Sequence, residues 1–323
     1  MNLLRKAFAA LTLMILSTSV WADYPDRPVR WIVPFPAGGG TDVVSRLLAQ
    51  RMSGELSQTI IVDNRPGAAT MIGAEAVANA KPDGYTLGTM DVSTLALNPS
   101  LYSEVRYDPS KDFEYIGGTA RFPFVLVVNP SLPVDSLQAL IALAKQKPGQ
   151  LTFATPGLGG PNHLGMTLFQ QKAGITLLHV PYKGDAPALQ DLIGGQVDMY
   201  LVNTAASMPY ISTGKLRALA IAMATRSKAL PAIPTFAEAG LADFEAYAWQ
   251  GLAAPAGTPK HEVAVMSKTL QSALSDAAVK QRLADMGVEP FPLDAEAFAA
   301  HVRSQSTLWG GIIQNAGIRL NAN

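Results

Sequence analysis

The chain has no cysteine among its 323 residues. That excludes a disulfide, a thiol nucleophile and a zinc–thiolate centre. It also excludes a lipid anchor on a cysteine at a processed amino terminus, so a freely soluble chain is expected. Histidine is scarce: the four, at positions 163, 179, 261 and 301, show neither H-E-x-x-H nor another paired metal-binding spacing. Charge imbalance is missing too. Twenty-five Lys and Arg stand against 25 Asp and Glu, with no basic stripe or acidic tail, so nucleic acid is not expected as a partner. The chain contains no G-x-x-x-x-G-K-[ST] and no G-x-S-x-G. Gly157-Leu158-Gly159 fails as a dinucleotide fingerprint because Asn162 replaces its third glycine, and Gly38-Gly39-Gly40 fails because Val43 does. These absences argue against an enzyme without excluding one, because catalytic groups are assembled in space.

What is present begins with an export signal. Arg5 and Lys6 precede an uncharged stretch, Ala7 to Val20, that holds the apolar block LTLMIL, and Val20-Trp21-Ala22 supplies the small residues a signal peptidase reads. A signal peptide over residues 1–22 is expected, with Asp23 as the mature start. An apolar span of about 14 residues is too short to cross a bilayer comfortably. Loss of Arg5 and Lys6 leaves the mature chain within two charges of neutral. At 48% hydrophobic and 15% charged residues, the remainder has the composition of a compact protein large enough for two domains.

Strand-like and helix-like runs alternate. VRWIVPF (29–35), TIIVDNRP and YTLGTM read as strands, with Val44, Leu47, Leu48 and Met52 at helical spacing after the first. The pattern restarts with FPFVLVVNP (122–130), a helix over Ser136–Lys147 that Ser136 caps, and the strand LTFATPG with a helix from Pro161. LLHVPYKG then leads into a helix around Ala188–Ile193, and GQVDMYLVN, LRALAIAM and YAWQGLAAPAGTP continue the alternation. Helices are expected over Lys260–Met286 and Ala295–Ala316. The pattern implies two α/β domains with parallel sheets, residues 23–121 plus 245–323 and residues 122–244. FVLVVN and AYAWQGLAA would be the crossing strands, with a cleft between the lobes.

Four loops share one construction, a strand running through glycine or proline into a helix: Gly38-Gly39-Gly40, TPGLGGPNHLG (155–165), VPYKGDAPALQDL and DNRPGAATMIG. Backbone N–H groups at such ends favour an anion, a carboxylate or phosphate. At the first loop the anion is either a ligand or Asp42 itself, two residues into the helix. Lys183 either meets a ligand carboxylate, pairs with Asp185 or reaches solvent; Tyr182 either bonds a ligand or packs. His163 has a packing or ligand role, whereas His179, Trp31 and Trp249 read as structural. Arg65 is expected to hold its own loop. Ser93, His163 and Asp91 are the nearest approach to a catalytic set.

The stretches VPFPAGGGTDVVSRLLAQ, DNRPGAATMIGAEAVANAKPDGYTLGT, FATPGLGGPNHLGMTLF, HVPYKGDAPALQDLIGGQVDM, GKLRALAIAMATRSKALPAIPTFAEAG and WQGLAAPAGTP together resemble the Bug family, the periplasmic receptors of tripartite tricarboxylate transporters. The resemblance covers essentially the whole mature chain. It implies a two-lobed type II periplasmic binding fold closing on a small carboxylate (a di- or tricarboxylate, amino acid or aromatic acid) in the periplasm. It implies a receptor that serves membrane permease subunits, needs no metal or cofactor and has no catalytic residue; with no direct sign of oligomerisation in the sequence, a monomer is the default expectation. Carried over by motif, a ligand carboxylate would meet Phe35, Ala37, Gly38 and Gly39. Thr89, Met90, Asp91 and Ser93, then Thr155, Pro156, Gly157, Gly160 and His163, then Tyr182, Lys183, Gly184 and Asn203 would complete the pocket. A ligand-sensing adaptor for a sensor kinase and a secreted hydrolase are the alternatives. The chain departs from the family pattern at Ala69-Thr70, where a second glycine is common, at Gly160, near which a serine is common, at Asp185, where a small residue is common, and at Val202, near which an acid is common. Asp185 either caps its helix, the favoured reading, or points inward, where it would repel a second carboxylate or pair with a ligand amine; Val202 would make its side of the pocket apolar and suit an aromatic acid.

Overall fold

Short apolar runs become strands because each is flanked by a glycine or proline turn and covered by a helix. The computed structural model describes residues 24–321, so the signal-peptide span lies outside the described residues. Strand β1 (Val29–Val33) lies parallel between β2 (Ile60–Asn64) and β3 (Thr86–Asp91), joined through helices α1 (Gly40–Leu56) and α2 (Met71–Ala78). A π-helical turn (Ser93–Leu97) and α3 (Asn98–Leu101) follow β3. Strand β4 (Phe113–Val128) then runs on for 16 residues.

The second half holds α4 (Leu137–Gln146), β5 (Thr152–Thr155), α5 (Pro161–Ala173), β6 (Leu178–Pro181), α6 (Asp185–Ile193), β7 (Met199–Asn203), α7 (Thr204–Ser212) and β8 (Arg217–Ile221). Strand β9 (Tyr247–Pro255) returns the chain to the first half, where α8 (Lys260–Ser275), α9 (Ala277–Asp285), β10 (Glu289–Pro290) and α10 (Ala295–Asn315) complete it. Up to Pro123, β4 pairs antiparallel with β9, which also pairs with β3. From Phe124 onward β4 pairs instead with β7 and β8. The sheet order is β2-β1-β3-β9-β4-β7-β5-β6, with β8 and β10 also on β4. Two α/β halves are thus joined by two long antiparallel strands, as the alternation implied.

The core follows the same division. Val29, Trp31 and Val33 of β1 pack with Val44, Leu48 and Met52 of α1 and Met266 and Leu270 of α8. Val125, Val127, Tyr200 and Val202 pack with Leu189 and Leu192 of α6. A third cluster links the halves through Phe124, Phe153, Phe169, Trp249, Phe298 and Trp309. Each fully buried Leu or Phe contributes roughly 1.5–3 kcal/mol. Gly251 lies where α10 meets the crossing strands. A Cβ there would overlap the Phe298 ring and come within 2.7 Å of the Gly117 carbonyl oxygen.

Two boundaries differ from expectation. Strand β4 starts at Phe113, nine residues before FPFVLVVNP, because its first half is irregular around Gly117 and Gly118, where the register with β9 shifts twice. The expected helix 260–286 breaks at Asp276, whose ψ is 131° and whose Oδ1 accepts the N–H groups of Ala278 and Val279.

Candidate functional site

Where β4 and β9 cross, a cavity of about 270 Å³ opens between the two halves. Its floor is Phe122 and Phe124 of β4 and Ala248, Trp249 and Gln250 of β9. One wall is Phe35, Gly40, Thr41, Asp91 and Ser93; the other is Pro161, Asn162, Asp185 and Asn203. Neither lysine, arginine nor histidine lines it. Three larger hollows lie elsewhere: about 560 Å³ between α3 and α10, about 400 Å³ behind β4 at Arg121, and about 390 Å³ where α8 and α10 begin, at Lys260 and Ala295.

The walls of the smaller cavity are largely helix beginnings, because the parallel strands of each half, β1 and β3 in one and β5, β6 and β7 in the other, hand over to helical turns at the edge facing the cavity. Helices α1, α5 and α6 are preceded by Gly39, Gly160 and Gly184, none of which brings a side-chain oxygen to its helix. Amides in a first helical turn have no partner within the helix and carry the positive end of its dipole. With no capping side chain over them, those of Gly40, Thr41 and Asn162 remain available to an anion. Asn203 caps α7 with its Oδ1, which accepts the Ala205 N–H at 2.8 Å.

The glycine loop carries its own anion. Asp42 is 2% exposed, and its Oδ2 accepts the Gly38 N–H at 2.8 Å and Arg46 Nε at 3.0 Å, while Oδ1 accepts Asn64 Nδ2 at 2.8 Å. Burial opposes this charge, but the bonds from Arg46, Gly38 and Asn64 outweigh it and hold the carboxyl below its ordinary value. Of the residues carried over for this loop, Phe35 reaches the cavity wall; Ala37, Gly38 and Gly39 are exposed and do not line it. The wall is made one step further on, by Gly40 and Thr41.

The other sequence-derived residues divide in the same way. Asp91, Ser93 and Asn203 line the cavity. Thr89 does not: it is buried, its Oγ1 accepting Trp31 Nε1 at 2.8 Å and lying 3.0 Å from Ser45 Oγ. Met90 is fully buried in the core. Thr155 Oγ1 donates to the Gly157 carbonyl at 2.9 Å and lies 2.6 Å from His179 Nε2. Gly160 caps α5, and the Pro156 carbonyl accepts the Gly184 N–H at 3.1 Å, tying two loops together behind the wall.

His163 lies behind the wall as well. Its Nδ1 accepts the Gly159 N–H at 3.2 Å and its ring stacks on His179, 4.3 Å away. It is not on the wall beside Ser93 and Asp91, so those three do not form a catalytic set. Tyr182 donates to Asp191 at 2.8 Å and Lys183 is exposed. Arg65 pairs with Asp63 at 3.0 Å. The fourth loop buttresses the site from outside: Thr70 Oγ1 lies 2.7 Å from Thr94 Oγ1, and Thr94 in turn donates to Asp91.

Sequence reasoning missed Gly40, Thr41, Asn162 and most of the floor. Asp185 corrects an expectation. It does not cap α6; its Oδ1 accepts the Tyr200 hydroxyl, and it lines the cavity. Burial, followed by the charge of Asp185, holds the Tyr200 hydroxyl far above its ordinary value, so it stays a proton donor. Val202 is fully buried among Val125, Leu192 and Tyr200 and is not on the wall, which removes the physical basis for an aromatic preference.

Two α/β lobes, joined by two crossing strands with a cavity between them, define a two-lobed type II periplasmic binding fold. The chain belongs to the tripartite tricarboxylate transporter receptor family, TctC, whose model matches residues 44–318. It is 38% identical to protein BugT of Bordetella pertussis over 307 residues, 94% of each chain. A protein of R. palustris solved with adipate superposes with a TM-score of 0.80 at 37% identity, over 92% of this chain and 100% of that one. MatC from Rhodopseudomonas palustris with bound malate gives 0.75 at 32% identity, over 90% and 100%.

Proposed function

We propose that the protein is a periplasmic receptor that closes its lobes on a small carboxylate. It then delivers the solute, chemically unchanged, to the membrane permease subunits of a tripartite tricarboxylate transporter. The observation that carries this is the convergence of helices α1, α5 and α6, each begun by a glycine without a side-chain cap, on one cavity with no cationic side chain. Backbone amides at helix starts suit a carboxylate, and the relatives solved with adipate and malate carry such ligands. The lobes are residues 23–121 plus 245–323 and residues 122–244. The first-turn amides of Gly40 and Thr41, the Ser93 hydroxyl and the amides of Asn162 and Asn203 hold the ligand, with Phe35 against its carbon chain. Export by the signal peptide places the mature chain in the periplasm as a monomer.

The test is thermal shift and calorimetry on residues 23–323, unfolded and refolded to strip any co-purified ligand, across mono-, di- and tricarboxylates. A ligand at 100 times its Kd stabilises the folded state by about 2.7 kcal/mol. Recovery of the ligand unchanged supports a receptor. A chemically converted ligand overturns the non-catalytic part of the reading, and no shift with any acid overturns the carboxylate part.

A further inference from the structure

We infer that the solute carries an ammonium group as well as a carboxylate, and that Asp185 is the side chain that selects it. The inference rests on the carboxylate-receptor reading and narrows its ligand class. Two carboxylates, Asp91 and Asp185, face a cavity whose wall has no lysine, arginine or histidine. Each has one oxygen occupied. Asp91 Oδ1 accepts the Thr94 N–H at 3.0 Å and the Thr94 hydroxyl at 2.6 Å, and Asp185 Oδ1 accepts the Tyr200 hydroxyl. Neither Oδ2 has a hydrogen-bond partner among the described residues. Helix amides supply positive potential at one part of the wall, and these acids supply acceptors and negative charge at another. A dicarboxylate with no cationic group would have to face both acids unpaired.

Gln250 is an independent sign of the same demand. It is 1% exposed, it lines the cavity, and its buried Oε1 has no partner. Buried polar atoms are nearly always bonded, and an unmet one points to an absent partner. Gln250 is also the direct cross-strand partner of Asp91 in the antiparallel pairing of β3 with β9. Directly opposed residues present their side chains on the same face of a sheet. The first lobe therefore offers a carboxylate and a carboxamide side by side, and the second lobe offers Asp185, held in place by Tyr200. An ammonium has three donors and no acceptor. Meeting Asp91 and Gln250 on one lobe and Asp185 on the other, it would also link the two lobes in the closed state.

The experiment compares ligands that differ at one carbon: succinate, malate and aspartate, then glutarate, 2-hydroxyglutarate and glutamate. Binding is measured by calorimetry on the refolded mature chain, wild type and Asp185→Asn. The amino acid of the preferred length is expected to bind at least about tenfold tighter than its unsubstituted parent, the scale of a close charge pair. Asp185→Asn, which keeps an acceptor for Tyr200, is expected to bring the pair within about threefold, by weakening the amino acid and strengthening the unsubstituted acid that no longer faces that charge. Tyr200→Phe, which frees Asp185, is expected to weaken the amino acid selectively.

An unsubstituted acid that binds as tightly as its amino derivative overturns the inference and leaves the carboxylate reading intact. A preference for the hydroxy acid over the amino acid assigns the acceptors to hydroxyl donors and overturns the ammonium. If only a longer acid binds, the comparison is made on that acid with and without its amino group. Binding of putrescine with no acid bound would overturn the carboxylate reading instead.

Discussion

Replacing Asp42 with alanine tests whether the glycine loop is held by its own helix. Asp42 is buried and joins three pieces of chain: the loop at Gly38, the α1 side chain Arg46 and Asn64 at the end of β2. Hydrogen bonds to a charged group are worth roughly 1.5–3 kcal/mol each, but two of the three donors have a second partner. Arg46 still reaches Asn64 Oδ1 at 2.8 Å, and Asn64 Nδ2 still reaches the Phe35 carbonyl at 3.0 Å. Arg46 is half exposed, so its share is screened. Gly38 alone loses its partner, on a loop that water reaches. The expected loss is about 2–3 kcal/mol, or a fall in Tm of roughly 4–8 °C. Asp42→Asn, which keeps an acceptor for Gly38, should fall between the two proteins.

The pH dependence carries a sign. The native carboxyl is held below its ordinary value, so its stabilisation is complete above about pH 4 and is lost as the pH falls through the native value. Urea melts of wild type and Asp42→Ala should therefore stand apart at neutral pH and converge in acid. Because Asp42 is not on the cavity wall, the substitution should weaken all carboxylates alike. A variant that melts within about 1 °C of wild type at pH 7 would refute the self-capping argument and return the Gly38 N–H to the ligand.

Three further outcomes are expected. The His179 and His301 rings are each depressed to about 4, by burial first and then by His163 and Arg121 respectively. Unfolded histidine binds its proton near pH 6.5, so the histidine contribution should lower stability between about pH 6.5 and about pH 4 and level off below that, where the loss at Asp42 takes over. Urea midpoints that stay flat over that window would contradict this. Gly251→Ala should cost about 3 kcal/mol by forcing Phe298 off the crossing strands, read as a lower denaturant midpoint; an unchanged midpoint would show that α10 can give way. Ala69 has a φ of 49° and a ψ of 46°. Ala69→Gly relieves left-handed strain at some entropic cost, so the midpoint should rise by roughly 0.5 kcal/mol of stability; a fall would show the strain to be absent.

The strand–helix alternation was legible because apolar periods change from two to three or four at punctuation the chain spells out, as at Gly160-Pro161. Helix starts were legible to within a residue or so at Ser136 and Pro161, where the cap or the fixed φ of proline is local chemistry. The first half of β4 was not, because EYIGGTAR has neither strict alternation nor an apolar run; its strand geometry comes from β9 and from two register shifts. The cavity wall near α1 was read one step early because nothing local decides whether Asp42 or a ligand takes the Gly38 N–H. Asp185 was misread for a similar reason. Its orientation is set by Tyr200, 15 residues away on another strand, and only a folded sheet brings the two together.

The crossing strands also explain how closure of the lobes would proceed. Successive residues of a strand face opposite sides, and on β4 the alternation separates two hollows. Phe122 and Phe124 face the cavity, while Arg121 and Pro123 line the larger hollow behind. This is also where β4 changes partners: Pro123 is its last residue paired with β9, and Phe124 its first with β7. Proline has no N–H to give to a ladder, and the Pro123 carbonyl accepts a side-chain hydroxyl, that of Thr204, at 2.9 Å. Arg121 steadies the strand just before it, pairing with Glu289 at 3.0 Å and lying over the Tyr247 and Phe291 rings. A bend at Pro123 would narrow the front cavity and widen the rear one, bringing Asn162, Asp185 and Asn203 towards Gly40, Thr41 and Asp91. The residues proposed to hold the solute therefore stand on opposite sides of this change of partners, so a ligand that contacts both walls would be gripped more firmly by a bend there.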